Sequence, residues 1–190
     1  MATGKFDRKK MHPFRLLVGD AMTFGRTRNH IFGFIAVDMT RVNELLEAFT
    51  AKTGIHVSLT AYILSCVGKT VAQHRQVHAF TDLFRRMYLF HDVDILVLVN
   101  TERNKQEHPM LHIVRNTESR TVSDIHNELR KVMASKRSST GFNYYRWAWI
   151  LTLIPGFIRR LAYPIILSFP RWAKRRMGTI QLTAVGMYGD

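Results

Sequence analysis

Cysteine is nearly absent from this sequence. The single residue, Cys66, cannot form an internal disulfide, and it lies in an apolar helical pattern where we expect a buried, inert thiol. The N-terminal residues are basic, but they are followed by neither an apolar stretch nor a small-residue cleavage site, which argues against a signal peptide. The sequence therefore predicts a cytoplasmic protein in a reducing compartment.

Acidic residues are also scarce. Asp and Glu total 14 against 28 Lys and Arg, which gives a formal net charge of +14. Such a surface attracts nucleic acid, an anionic membrane face or a phosphate-bearing ligand. No RRM, zinc-finger or helix-turn-helix pattern is present, so nucleic acid is the least favoured of the three.

Several enzyme fingerprints are missing. No G-x-S-x-G, P-loop or G-x-G-x-x-G sequence occurs, so hydrolase and nucleotide-binding readings have no support. The pairs His74 with His78 and His108 with His112 have i,i+4 spacing but no third ligand at usable spacing, and we expect no metal site. His78 with Asp82 matches H-x-x-x-D without the glycine that would extend it, which is unsurprising among nine histidines.

The first half of the sequence alternates apolar segments with turn signals. Residues 30–38 are almost continuously apolar, which predicts a strand buried on both faces. Thr40 is expected to cap a helix over 41–52 that ends at Gly54, and Ser58 or Thr60 to cap a second helix that reaches about His74. The predicted buried stripe of the second helix consists of Leu59, Tyr62, Ile63, Cys66, Val67, Thr70 and Val71.

The second half predicts further strands and one more helix. Residues 85–90 and 93–101 are expected to form a hairpin about His91-Asp92, and a polar loop separates them from a third strand at 110–115. The last strand is predicted at 178–185. A third helix starts at Thr121, ends in a linker near 135–141, and buries Val122, Ile125, Leu129 and Val132.

Residues 142–176 differ in character, because they hold all three tryptophans among clustered basic residues. Arg159-Arg160, Pro155 and Pro164 interrupt the apolar pattern before the roughly 20 residues that a spanning helix needs. Two alternatives stay open. The segment forms either a helix lying on a membrane surface or, the favoured alternative, a broken helical pair packed on the sheet or on another subunit.

Six short segments, in one order, carry a family resemblance. Arg15 precedes Met22 by seven residues, and the pair Asn29-His30 begins eight residues before the motif Val37-Asp38-Met39-Thr40. These segments resemble the acyltransferase core of 2-oxo acid dehydrogenase complexes, which shares its fold with chloramphenicol acetyltransferase. The matched segments are 15–22, 29–40, 54–61, 93–101, 110–117 and 178–189.

The resemblance implies a single α+β domain over residues 1–190, with a mixed sheet flanked by helices in a two-layer sandwich and 142–176 as an insertion. It also implies acyl transfer with coenzyme A as acyl-CoA substrate, no metal, and a homotrimer or higher oligomer with active sites between subunits. Thr183 takes the place of the serine that donates a hydrogen bond to the tetrahedral oxyanion. An equally weighted alternative makes Thr183 an ordinary strand residue.

Other residues fall at positions that support the site in the resembled family. They are Arg15, His30, Asp38 and Asn116. We expect His30 to be structural, and Arg15 either to pair with the carboxylate of the family's catalytic motif or to lie on a solvated face. That motif, H-x-x-x-D-G, holds the histidine that deprotonates the CoA thiol.

The sequence departs from the family in three respects. The H-x-x-x-D-G motif does not occur before Asp190, no lipoyl or subunit-binding segment precedes the core, and 142–176 has no counterpart. The chain is therefore expected to be a C-terminally incomplete acyltransferase core whose acceptor is not assumed to be lipoamide. The alternative is a non-catalytic protein on the same fold that acts in assembly or at a membrane surface.

Overall fold

The computed structural model describes residues 13–27, 29–103, 106–135 and 153–184. The chain divides into two units. Unit 1 comprises Met1–Gly33 and Phe142–Ile166, and unit 2 comprises Phe34–Gly141 and Leu167–Asp190. The helices are α1 (Pro13–Gly25), α2 (Thr40–Thr53), α3 (Leu59–Gln73), α4 (Val122–Ser135), α5 (Gly156–Leu167) and α6 (Pro170–Met177), and the strands are β1 (Phe80–Thr81), β2 (Met87–Tyr88), β3 (Ile95–Arg103), β4 (Gln106–Val114) and β5 (Ile180–Leu182).

A mixed sheet forms the centre of unit 2. Strand β3 pairs antiparallel with β4, from Ile95 opposite Val114 onward, and parallel with β5, where Ile95 lies opposite Ile180. Strands β1 and β2 pair with each other in a separate short ribbon. With the helices that pack on this sheet, the observed class is α+β.

The core of unit 2 lies between the sheet and helices α3 and α4. It consists of Val57, Ala61, Leu64, Val71, Val93, Ile95, Val97, Val99, Val114, Ile125 and Leu129. The predicted start and buried face of α4 are confirmed: the Thr121 hydroxyl accepts a hydrogen bond from the Asp124 amide at 3.2 Å, and Ile125, Leu129 and Val132 are buried.

The bounds of α2 and α3 agree with the sequence, but the buried face of α3 does not. Gly54 closes α2 in the left-handed conformation and the Ser58 hydroxyl caps α3, as predicted. However, Thr40 is the first residue of α2 rather than its cap, and α2 has no buried residue. Helix α3 buries Ala61, Leu64, Ser65, Gly68 and Val71, whereas six of the seven stripe positions that the sequence predicts are not buried, Cys66 among them.

Small side chains explain the choice of face on α3. A Cβ atom on Gly68 would lie 2.5 Å from the hydroxyl oxygen of Thr117, so only glycine lets α3 approach the short 3-10 helix at Thr117–Ser119. Hydrophobic periodicity overlooks Ala, Ser and Gly, although these residues permit the closest packing.

Two strand predictions are wrong. Residues 30–38 form no strand and are exposed, Phe34 at 96% of its surface. Residues 93–101 do not form a hairpin with 85–90: β2 pairs with β1, and β3 pairs with β4 and β5. The residues expected to form a polar loop after β3 instead extend both strands of the β3–β4 hairpin, whose tip at 104–105 lies outside the described residues.

Unit 1 is built from α1 and α5 as far as the structure describes it. The Asp20 carboxylate of α1 is buried and accepts hydrogen bonds from Arg159 Nε at 2.8 Å and Arg160 Nε at 3.1 Å. The second guanidinium edge of Arg159 donates to the Ile154 carbonyl at 2.8 Å. Within 153–177 the structure has two helices, α5 and α6, whereas 142–152, the linker at 136–141 and Val185 lie outside the described residues.

Candidate functional site

Thr183 follows the last residue of β5 in unit 2. Ile180 and Leu182 of β5 pack against the core, while Gln181 and Thr183 are exposed. Successive side chains of an extended chain point to opposite faces, so the alternation places Thr183 on the side of β5 that faces away from the core. A hydroxyl in this position is accessible to a ligand.

Asp94 joins the start of β3 to the start of β5, the strand that Thr183 follows. Its carboxylate accepts hydrogen bonds from Arg115 at 2.6 Å and from the Asn116 amide at 3.2 Å, and its carbonyl accepts one from the Thr179 amide at 2.7 Å. These bonds tie the start of β3 to the end of β4 and to the residue before β5. Asp94 is buried, so its ion pair with Arg115 lies where charge-assisted bonds are strong.

Gly178 makes this junction possible. Its φ of +67° is a conformation that side-chain-bearing residues rarely adopt, and a Cβ there would lie 2.7 Å from the Asp94 carbonyl oxygen. The glycine of the family-like 178–189 segment is therefore required for the chain to turn into β5. The direction of β5, and with it the place of Thr183, depends on this residue.

His78 is buried beside the same junction. Its Nδ1 lies 3.0 Å from the Thr179 hydroxyl, and its ring packs on Phe90. Burial lowers the pKa of His78, and the nearby Lys174 cation lowers it further, while the Phe90 carbonyl and two carboxylates oppose both effects. The imidazole is therefore neutral at neutral pH.

The H-x-x-x-D match at His78 is not a functional pair. Asp82 accepts hydrogen bonds from the Phe84 and Arg86 amides and forms an ion pair with the Arg86 guanidinium at 2.7 Å. His78 also contacts Thr179, which is four residues and hence roughly 13 Å of extended chain from Thr183. His78 therefore belongs to the fold of unit 2 and not to a site at Thr183.

The four supporting residues are divided between the two units. Arg15 and His30 are exposed in unit 1, where His30 stacks on Phe32. In unit 2, Asp38 accepts hydrogen bonds from the amide and hydroxyl of Thr40, which lower its pKa, the hydroxyl bond contributing most. Asn116 turns the chain after β4 in a left-handed conformation. Within the described part of unit 2, no hydrogen bond or ion pair links Asp38, Asn116 and Thr183.

The sequence did not predict two polar contacts of unit 2. His112 of β4 lies with Nε2 at 2.7 Å from Glu128 of α4, and Arg120 binds the other oxygen of that carboxylate. His126 of α4 accepts a hydrogen bond through Nδ1 from the Ser58 amide at 3.1 Å. Each pair joins segments that are far apart in sequence, so no local spacing could have revealed it.

Metal ligation finds no support in the described ranges. The two histidine pairs noted in the sequence do not share a helix, because α3 ends at Gln73 and His108 and His112 lie on β4. Among the residues that the structure describes, no group of three or more His, Cys, Asp or Glu side chains could hold a metal ion.

The comparisons with known proteins rest on structure alone. No family model matches the sequence, and no curated protein matches it. The fold is similar to a truncated catalytic core of the 2-oxoacid dehydrogenase multienzyme complex from Thermoplasma acidophilum, with a TM-score of 0.56, 20% identity, and coverage of 70% of this chain and 60% of that one.

Two further solved structures agree with the first. The cubic core of the pyruvate dehydrogenase multienzyme complex gives a TM-score of 0.59 at 14% identity over 70% of this chain and 56% of that one. A probable dihydrolipoamide acetyltransferase from Listeria monocytogenes gives 0.59 at 11% identity over 100% and 68%. The chain thus spans about three fifths of the length of the first two structures, and it has the fold of the catalytic core of the 2-oxoacid dehydrogenase acyltransferases.

Proposed function

We propose that this chain is the core of an acyltransferase that moves an acyl group between coenzyme A and an acceptor. The observation that carries the proposal is the likeness of its fold to acyltransferase catalytic cores, one of them a dihydrolipoamide acetyltransferase. The accessible hydroxyl of Thr183, at the end of a strand that is anchored through Asp94, supports it.

In this proposal Thr183 stabilises the reaction's intermediate. Attack of a thiolate on the carbonyl carbon of an acyl thioester forms a tetrahedral intermediate whose oxygen carries negative charge, and the Thr183 hydroxyl donates a hydrogen bond to that oxygen. Collapse of the intermediate then breaks the carbon–sulfur bond of the donor thioester, and the donor sulfur leaves as a thiolate. The base that removes the thiol proton is not assigned to a described histidine: His78 is buried away from Thr183, and His112 is bound to Glu128.

Coenzyme A suits the charge of the protein. Its phosphates are anionic, and α6 exposes Arg171 and Arg175 in a chain with 28 basic and 14 acidic residues. The same proposal includes assembly into a trimer or higher oligomer and a cytoplasmic location. Exposed apolar side chains in unit 2, among them Phe34, Ile35 and Leu45, support burial against further copies.

Variants of Thr183 in the full-length protein test the catalytic proposal. Acyl transfer from acetyl-CoA is followed with a thiol reporter, and CoA binding by calorimetry. We expect Thr183→Val to lower kcat about 10²- to 10³-fold, as loss of an oxyanion donor does, while Thr183→Ser retains activity. The control Thr70→Val removes an exposed hydroxyl from α3 and should leave the rate unchanged.

A negative result has a definite meaning here. If the wild-type protein shows neither turnover nor CoA binding, the acyltransferase proposal is excluded. The alternative then remains, a non-catalytic protein that acts in assembly or at a membrane surface. Light scattering then distinguishes these two, because assembly raises the molar mass without added lipid.

A further inference from the structure

The outward apolar face of α5 has no role in acyl transfer. Phe157, Leu161 and Ile165 recur every four residues, so they share one face of the helix, and Ile158 borders it. All four are exposed, Phe157 at 68% and Leu161 at 64%. Leu153, just before the helix, is also open to solvent. This face is apolar where a water-exposed helix is normally polar.

The polar side of the same helix turns inward. Arg159 lies two residues from Phe157, on the far side of α5, and is bonded to the buried Asp20 of α1. Helix α1 has the same arrangement, since Val18 and Met22 are exposed on the face opposite Asp20. The described helices of unit 1 therefore place an ion pair inside and apolar side chains outside, the reverse of the usual distribution in water.

Charge identifies the occupant of this face. The sequence of unit 1 holds ten basic and two acidic residues, a net charge of +8 over 58 positions. A second copy would bring the same positive charge to the contact and would be repelled. A bilayer with anionic headgroups accepts the apolar side chains and attracts a unit whose sequence carries this net positive charge.

We propose that unit 1 docks on an anionic lipid bilayer, with α5 lying in the plane of the surface and its Phe157–Leu161–Ile165 face inserted at the headgroup boundary. Arg160, at the edge of this face, is bonded to Asp20 through Nε but is more than half exposed, so the rest of its guanidinium group can meet lipid phosphate. In the described ranges no helix is long and apolar enough to cross a membrane. Binding needs no acyl-CoA, so this proposal stands or falls independently of the proposed function.

Vesicle flotation of the full chain tests the proposal. The vesicles contain phosphatidylcholine alone or phosphatidylcholine with phosphatidylserine. The wild type should float with the anionic vesicles, more weakly as salt rises, and little with the neutral ones. The double variant Phe157→Ser with Leu161→Ser should partition at least about tenfold less. The control, Leu83→Ser with Phe84→Ser, removes two equally exposed apolar side chains from unit 2 and should bind as the wild type does.

Two results would overturn the proposal. In the first, the wild type does not float with anionic vesicles. In the second, the double variant floats as well as the wild type, which would mean that binding depends on charge and not on this face. If the double variant then also has a lower molar mass by light scattering, that face is a contact between copies of the chain.

Discussion

The two units of this chain differ in what their described residues bury. Unit 2 buries aliphatic side chains between its sheet and two helices, although it also exposes apolar side chains such as Phe34. The described helices of unit 1 bury the Asp20 carboxylate with Arg159 and expose Phe157 and Leu161. Unit 2 therefore has an apolar core of its own, whereas the described helices of unit 1 meet through an ion pair and leave apolar side chains exposed.

The difference has an energetic basis. Burying aliphatic surface stabilises a fold in proportion to the area removed from water, and it needs no particular geometry. A buried ion pair gains little net stability because both ions lose their hydration, but it restricts how two helices can pack. Unit 2 is thus expected to supply most of the free energy of folding. In unit 1 the ion pair is expected to fix the orientation of α5 and so of its apolar face.

The largest effect is expected in the core of unit 2. Leu64 of α3 is fully buried, so Leu64→Ala should leave a cavity and lower the free energy of unfolding by about 3 to 4 kcal/mol. Leu45→Ala in α2 is the matched control, because that leucine is also helical but 62% exposed. Urea unfolding measures both. Equal losses for the two variants would show that α2 is packed as tightly as α3.

A second, smaller effect is expected in unit 1. Asp20→Asn keeps the shape of the side chain but removes the charge that balances Arg159, and it should lower the local stability of α1 and α5 by about 3 kcal/mol at most. Hydrogen exchange of the amides in these helices measures local opening.

Arg160 provides the control for Asp20. Its side chain is 56% exposed, so Arg160→Ala should cost less than about 1 kcal/mol. If Asp20→Asn also left exchange unchanged, the ion pair would not hold the two helices together, and the contrast between the units would fail.

How much of the fold the sequence could predict depended on how local the signal was. The bounds of α3 and α4 followed from Ser58 and Thr121, because a capping hydroxyl acts on amides three residues away. The place of β3 followed from its apolar run. The partners of β3 did not, since β4 and β5 are chosen by packing over the whole unit rather than by neighbouring residues.

The candidate site was predictable only in part. The family-like order of segments located Thr183, and Gly178 explains physically why a glycine opens that segment. The partners of Asp94, His78 and His126 are distant in sequence, so no spacing rule indicates them. The prediction of a strand at 30–38 was wrong for another reason. Its continuous apolar residues indicate that burial is favourable, but they do not indicate which surface would bury them.

Acid should weaken unit 2 through His126. Burial lowers the pKa of this side chain from 6.5, and the neighbouring His56 and Arg130 lower it further. As pH falls below about 6.5 the unfolded chain takes up the proton first, so the free energy of unfolding decreases until the pH passes the lower folded-state pKa. Protonation would also remove the Nδ1 acceptor that holds the Ser58 amide.

His126→Asn tests this dependence because it keeps an acceptor near Nδ1 but cannot titrate. The slope of unfolding free energy against pH should flatten in this variant as the pH falls below neutrality, and His78 should account for a remaining slope of the same sign. Asn127→Ala, an exposed substitution on the same helix that removes no titratable group, is the control and should leave the slope as in the wild type. If the slope of unfolding free energy against pH is the same in His126→Asn as in the wild type, His126 is not the group that makes unit 2 sensitive to acid.

The smallest effect is expected at the outward face of α5. Leu161→Ala replaces an exposed leucine with the residue that best favours a helix, so the free energy of unfolding should change by less than about 0.5 kcal/mol in the absence of lipid. Calorimetry without vesicles and hydrogen exchange across α5 measure it. Stability lost on the scale of Leu64→Ala would mean that the protein already buries Leu161 in water. Unit 1 would then have an apolar core of its own, and its contrast with unit 2 would disappear.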